Sequence, residues 1–424
     1  MAGDAAPPSG GTNPWKGERM KVSKKGTRRR GVAVLSAVAA LAIYMVVVAM
    51  PASAVPICAV TGSSPNQVMT VTMPDNGDNV TLVVNGANID FNGGPCTPVA
   101  TTAGVSSIVV NAEALAQVEA QAVTINGAGG SFTASIEINL GAGDDGVTVN
   151  ATVAADAVTA NLGDGGDGFN GTTAAGPVTV NGGAGNDGIV GGSGDDSLNA
   201  GDGNNGVDAG AGDDVVNAGN GNDGVSAGDG DDTVNAGDGD NGVLGGDGAD
   251  DITTGSGEDG IGGGLGRDSI SSGDGRDGID AGEGSDTVAP GGGDDTAEGG
   301  VGRDTVSYVD AGAAVDIDLA AGSALIGPEE DVLGSFENVI GSRFADAIRA
   351  TSASNDVRSG NGADSVRAGA GEDDLRGGGG KDRLRGGDGD DDLFGQGGKD
   401  RLFGGPGVDF CNGGPGKDKL KGCE

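Results

Sequence analysis

The chain has 424 residues, a formal net charge of −39 and no histidine. That charge argues against nucleic acid as a partner, because phosphate binding needs cations. The missing histidine excludes the usual zinc-protease motif and every Ser–His–Asp or Cys–His catalytic arrangement, so the many carboxylates are expected to serve as ion ligands and solvated charge.

Residues 1–30 are polar and end in a basic run, Lys21, Lys24, Lys25, Arg28, Arg29 and Arg30. Val32 to Met50 is apolar, and Pro51-Ala52-Ser53-Ala54 has the small-residue form of a cleavage site. The pattern predicts a secretory signal peptide over 1–54 and a secreted, extracellular protein. An uncleaved anchor is the alternative, since the apolar run is long enough to span a bilayer. Contact with a membrane is expected only through that segment.

Residues 55–139 hold short strand-like runs that end in Asn: TLVVN (81–85), SIVVN (107–111), AVTIN (122–126) and SIEIN (135–139). They predict an N-terminal β-rich module and an Asn ladder leading into the glycine-rich region beyond Asn139. Two isolated nine-residue units come next, LGAGDDGVT (140–148) and LGDGGDGFN (162–170).

From Gly182 to Ser307 the chain is fourteen consecutive nonads of the form G-G-x-G-x-D-x-U-x. Glycine at positions two and four opens backbone conformations closed to other residues, so that six residues make a tight turn. The aliphatic residue at position eight suits a short strand with one inward side chain. Position seven is Gly in units one, three, five, seven, nine and eleven, Gly188 to Gly278, and never Gly in even units. The full period is therefore eighteen residues: one coil with two turns and two strands. The fold class that results is all-β, a parallel β-roll or β-solenoid with odd and even turns on opposite edges.

Position six carries the chemistry. Its residues are Asp187, Asp196, Asn205, Asp214, Asp223, Asp232, Asn241, Asp250, Asp259, Asp268, Asp277, Asp286, Asp295 and Asp304, preceded in the isolated units by Asp145 and Asp167. Carboxylate and turn carbonyl oxygens make a hard-cation donor set, suited to Ca²⁺. One inward side chain per nine ordered residues is little against the conformational entropy of ordering them. Stacked carboxylates about 4.8 Å apart also repel one another within the screening length. Folding is thus expected to depend on bound calcium. Both Asn substitutions fall on the odd edge, so the even column is expected to bind more tightly.

Tyr308 to Ile340 interrupts the register and is read as a spacer. Nine further units run from Gly341 to Lys421, with expected ligands Asp346, Asp364, Asp373, Asp382, Asp391, Asp400, Asp409 and Asp418. Position nine is Arg in five successive units, Arg349, Arg358, Arg367, Arg376 and Arg385. This reads as charge balance on a terminal roll, with a basic docking face for an acidic surface polymer as the second reading. The glycine-lined odd face is read either as an extension of the ion-binding turn on that edge or as a flat surface in close contact with a second roll or an extended ligand. Cys58 with Cys96, and Cys411 with Cys423, are expected as local disulfides behind a signal peptide.

The units over 140–307 and 341–424 resemble the hemolysin-type calcium-binding repeats of the RTX family, and 304–342, with DTVSY and SFENVIGS, resembles the spacer between such arrays. The resemblance implies calcium held between stacked turns by carbonyls and the position-six Asp. Familiar members export through a C-terminal signal and carry a toxin, protease or lipase domain. This chain shows neither, so their activities do not transfer. The function expected is a secreted calcium-binding roll without catalysis. The alternatives are a surface adhesin or matrix protein with the roll as a stalk, and, less well supported, an extracellular hydrolase.

Overall fold

The computed structural model describes residues 57–61, 67–73, 79–85, 88–91, 94–101, 105–112, 120–127, 134–150 and 158–424. The signal segment expected over 1–54 lies outside them. Among the described residues every regular element is a strand, and no helix is long and apolar enough to cross a membrane.

Each pair of nonads makes one coil, as the eighteen-residue period requires. Even units lend strands such as Ser197–Asp202, Val215–Asn217 and Thr233–Gly237 to one parallel sheet. Odd units lend Gly206–Ala211, Gly224–Asp229 and Gly242–Asp247 to the other. These are called the even and the odd sheet below. The eighteen-residue register holds from coil to coil at the inward position: Leu198 pairs with Val216 and Val216 with Val234, while Val207 pairs with Val225 and Val225 with Val243.

Position eight points inward, and Leu198, Val216, Val234, Ile252, Ile270 and Val288 are buried in one line. The structure adds a second inward residue that periodicity at position eight does not reveal. Position one, two residues on and therefore on the same face, is a buried Ala at Ala200, Ala209, Ala218, Ala227 and Ala236. The core is thus a row of aliphatic residues alternating with methyl groups. Fully burying each Val or Ile contributes about 1.5–3 kcal/mol. Glycines at positions two and four hold the coils close. Gly210 and Gly212 take φ of 115° and 120°, and a Cβ on Gly210 would fall on the Gly192 carbonyl of the coil before.

The N-terminal strands belong to the same solenoid. Val71 pairs in parallel with Val110, Val110 with Ile138, Ile138 with Ala160, Ala160 with Val180, and Val180 with Leu198. The Asn ladder is present on this sheet: Asn139, Asn161 and Asn181 each donate a side-chain amide to the Asn of the coil before, at 2.9, 2.7 and 2.7 Å. Antiparallel strands close the first coil, Ile57–Thr61 on Gln67–Met73 and Asn79–Asn85 on Asn88–Phe91.

Between the two arrays the sheets behave differently. The even sheet passes straight through, Val306 pairing with Val339 and Val339 with Val357. The odd sheet takes in an antiparallel meander, Val315–Asp318, Ser323–Ile326 and Glu329–Gly334. Its last strand pairs with Thr296–Glu298 and its first with Ala347–Arg349. The larger side chains of Tyr308 and Phe336 are buried there. The out-of-register residues are therefore woven into the same two sheets. At the other end Cys411, at the inward position of its unit, is bridged to Cys423. Cys58 is also disulfide-bonded; the side chain of its expected partner, Cys96, lies outside the described residues.

Candidate metal columns

Position six ends each turn just before a strand begins, and this fixes where its carboxylate goes. Oδ1 accepts the main-chain N–H of the position-six residue one coil earlier. Asp196 donates to Asp214 at 2.7 Å, Asp214 to Asp232 at 2.8 Å and Asp232 to Asp250 at 3.0 Å. Repeated over the roll, this makes two hydrogen-bonded columns. The odd one runs through Asp145, Asp167, Asp187, Asn205, Asp223, Asn241, Asp259, Asp277 and Asp295. The isolated units thus join the main array despite their irregular spacing. The even one runs from Asp196 to Asp304.

Oδ2 is the oxygen that matters for a cation. In the fourteen aspartates of these two columns, and in six more of the second array, it is buried and accepts no hydrogen bond. Buried polar atoms without partners are rare, because each forfeits its hydration. What surrounds Oδ2 is shown by the column positions that carry Asn. The Asn205 amide nitrogen donates to the carbonyls of Gly201 at 2.9 Å, Gly203 at 3.2 Å and Ala218, one coil on, at 3.0 Å. Asn241 donates likewise to Gly237 at 3.0 Å. The pocket is thus built of positions two and four of one turn and position one of the next coil. At Asp196 a Cβ on Gly191 would fall on both Oδ2 and the Ala209 carbonyl, so the position-one carbonyl of the next coil approaches the carboxylate there too. Where Asp stands, Oδ2 accepts no hydrogen bond and pairs with no cationic side chain among the described residues.

The electrostatics agree. Burial pushes the carboxyls above the ordinary aspartate range, to about 6 for Asp196, Asp214, Asp232, Asp250 and Asp268 and about 7 for Asp167 and Asp295. The N–H donated from the coil before opposes that shift, and neighbouring column carboxylates add to it in several of these sites, Asp167 and Asp295 among them. Among the described residues no three His, Cys, Asp or Glu side chains gather in one place. The donor set is one carboxylate oxygen with several main-chain carbonyls, which fits a hard cation such as Ca²⁺ and not zinc.

The second array repeats the geometry. Asp346, Asp364, Asp382, Asp400 and Asp418 stack on the odd side, and Asp373, Asp391 and Asp409 on the even side. Two expected ligands differ. Asp346 receives the Ser342 N–H and hydroxyl, at 2.7 Å each, so both of its oxygens have partners. Asp418, in the last coil, is only half-buried.

Four residues outside the sequence-derived set complete the columns. Asp295 donates its N–H to Asp331 at 3.1 Å, and the Tyr308 hydroxyl donates to the other oxygen of Asp331 at 2.8 Å. Asp304 donates to Glu337 at 3.0 Å. Asn355 stacks on Asp373 and donates its amide to the Glu337 carbonyl at 2.6 Å. Asn355 sits at position six of its degenerate unit and was findable by counting. Asp331 and Glu337 lie 36 and 33 residues beyond their partners, and no nonad marks them.

Comparison with known proteins agrees with this geometry. The family described as RTX calcium-binding nonapeptide repeat (4 copies) matches residues 172–288, 290–307, and 349–420 in overlapping segments. No curated protein matches the chain. Over those residues the chain belongs to the RTX family of hemolysin-type calcium-binding repeat proteins.

Proposed function

We propose that this is a secreted protein without catalytic activity, whose arrays fold when the columns load with Ca²⁺. The observation that carries the reading is the contrast at position six. An amide nitrogen at Asn205 finds three carbonyl partners, whereas twenty carboxylates in the equivalent place leave a buried oxygen without a donor. Calcium would supply the positive charge that these oxygens and the carbonyls of positions one, two and four share. The chain's own residues do the rest. Column N–H groups orient Oδ1, the glycines bring coils into contact, and the aliphatic row closes the core. Export before folding is consistent with a chain that carries its charge repulsion until it meets extracellular calcium, and the apolar segment before Ala54 supports that route.

Circular dichroism of the full chain during a calcium titration tests the reading. Strand signal should rise with calcium and disappear in chelator. A full strand signal in chelator would refute calcium-dependent folding.

A further inference from the structure

The two sheet faces of the second array differ in charge pairing. On the even sheet, Asp356 and Asp374 at position seven lie beside Arg358 and Arg376 at position nine. They form ion pairs: Arg358–Asp356 at 3.0 Å, Arg376–Asp356 at 3.2 Å and Arg376–Asp374 at 2.6 Å. The odd sheet has no such balance. Arg349, Arg367 and Arg385 stand in register in one column, and Arg383, Arg401 and Lys419 in the next. No outward position of these strands at seven or nine is a carboxylate. Among the described residues the one ion pair on this face is Arg349–Asp318 at 3.3 Å. Like charges directly opposed on neighbouring strands are destabilising, so a registered cationic strip needs an anionic partner from elsewhere.

The same sheet over the first array is its complement in size and in sign. Its position-seven glycines leave one row of the face without side chains, beside a row at position nine that includes Ser226, Leu244 and Gly262. A Cβ on Gly224, Gly242, Gly260 or Gly278 would meet nothing within 4 Å, and none of the four takes a positive φ. Neither backbone strain nor internal packing accounts for glycine there. From Gly146 to Glu298 no outward residue of the odd sheet is Lys or Arg, while Asp208, Asp280 and Glu298 lie on it.

We propose that the odd sheet is a dimer face, occupied by a second copy of this chain running antiparallel. The cationic strip of each copy then lies on the acidic first array of the other, giving two equivalent contacts about a two-fold axis. A parallel arrangement would set the cationic strips against each other. Sheets packed face to face sit about 10 Å apart, a gap that long Arg side chains fill against glycine. A strip five coils long is about 24 Å by 12 Å. Both sides of both contacts then bury roughly 1,100 Å², at the threshold for a specific interface. The inference rests on the calcium-loaded, folded roll proposed above.

Sedimentation velocity of the full chain at saturating calcium tests it. A dimer is expected at low ionic strength and a monomer at about 1 M salt, where screening is short. Arg383→Glu with Arg401→Glu, and separately Gly224→Arg with Gly242→Arg, should each weaken association by at least about tenfold. Circular dichroism on the same samples should show the calcium-induced signal unchanged, since none of the four residues lines a column. A monomeric parent chain, or variants that still dimerise, overturn the proposal. A monomer that binds polyglutamate through Arg383 and Arg401 also overturns it, and gives the strip to an acidic polymer. A chain already folded in chelator would refute the calcium reading instead and leave the dimer test standing.

Discussion

Asn205→Asp is the most informative single change, because it alters one column position without touching the core. The wild-type amide donates three hydrogen bonds, to Gly201, Gly203 and Ala218. The amide has two hydrogens for these three carbonyls, so at about 1 kcal/mol net for each hydrogen their loss costs about 2 kcal/mol when calcium is scarce. At calcium one hundred times its dissociation constant, a new site returns about 2.7 kcal/mol. The variant should therefore need more calcium to fold, match the parent at saturation, and bind one additional ion. Equilibrium dialysis counts the ion, and urea melts at several free-calcium levels measure the stability. An unchanged ion count with unchanged melts at every calcium level would refute the assignment of that pocket.

Four further outcomes are expected from the same geometry. Asp232→Asn should lower the bound-ion count by one yet fold at saturating calcium, because the new amide can donate to the carbonyls its neighbours use. Calcium-free chain should gain strand signal as pH falls from 7 to 5. The column carboxyls lie near 6 in the fold against about 3.9 unfolded, so the folded form binds more protons, and the stability this lends is lost again as pH rises through 6. Tyr308→Phe leaves one buried oxygen of Asp331 without its donor and should cost about 1–3 kcal/mol in melts at saturating calcium. Replacing Cys411 and Cys423 by Ser removes a short loop constraint worth about 2–3 kcal/mol, and amide exchange should show the loss confined to the last coils.

The array was legible because every coil repeats one set of local demands. Glycine where φ is positive, Asp before each strand and an aliphatic residue inside together dictate the period, the two columns and the inner row. Position-one alanine was harder to see, since Gly, Thr, Ser and Pro also occupy that position and only a folded coil shows that Ala200 and Ala209 are inside. The junction was illegible for a different reason. Glu337 reaches its column through a long turn and loses the spacing, while Asp331, two full periods beyond Asp295, keeps it but lies in a meander with no nonad around it. Asp145 and Asp167 show the same tolerance, because extra residues between paired strands leave the column hydrogen bonds intact. The partners of the Asn205 amide, carbonyls from two different turns, were out of reach of the sequence because only the folded coil brings them together.

The central claim is that the arrays fold because calcium neutralises the columns. Amide hydrogen exchange of the full chain, in chelator and at millimolar calcium, tests it most directly. Peptides from 182–307 and 359–421 should exchange freely in chelator and become protected with calcium, reversibly. Equal protection of those peptides in both conditions would contradict the account.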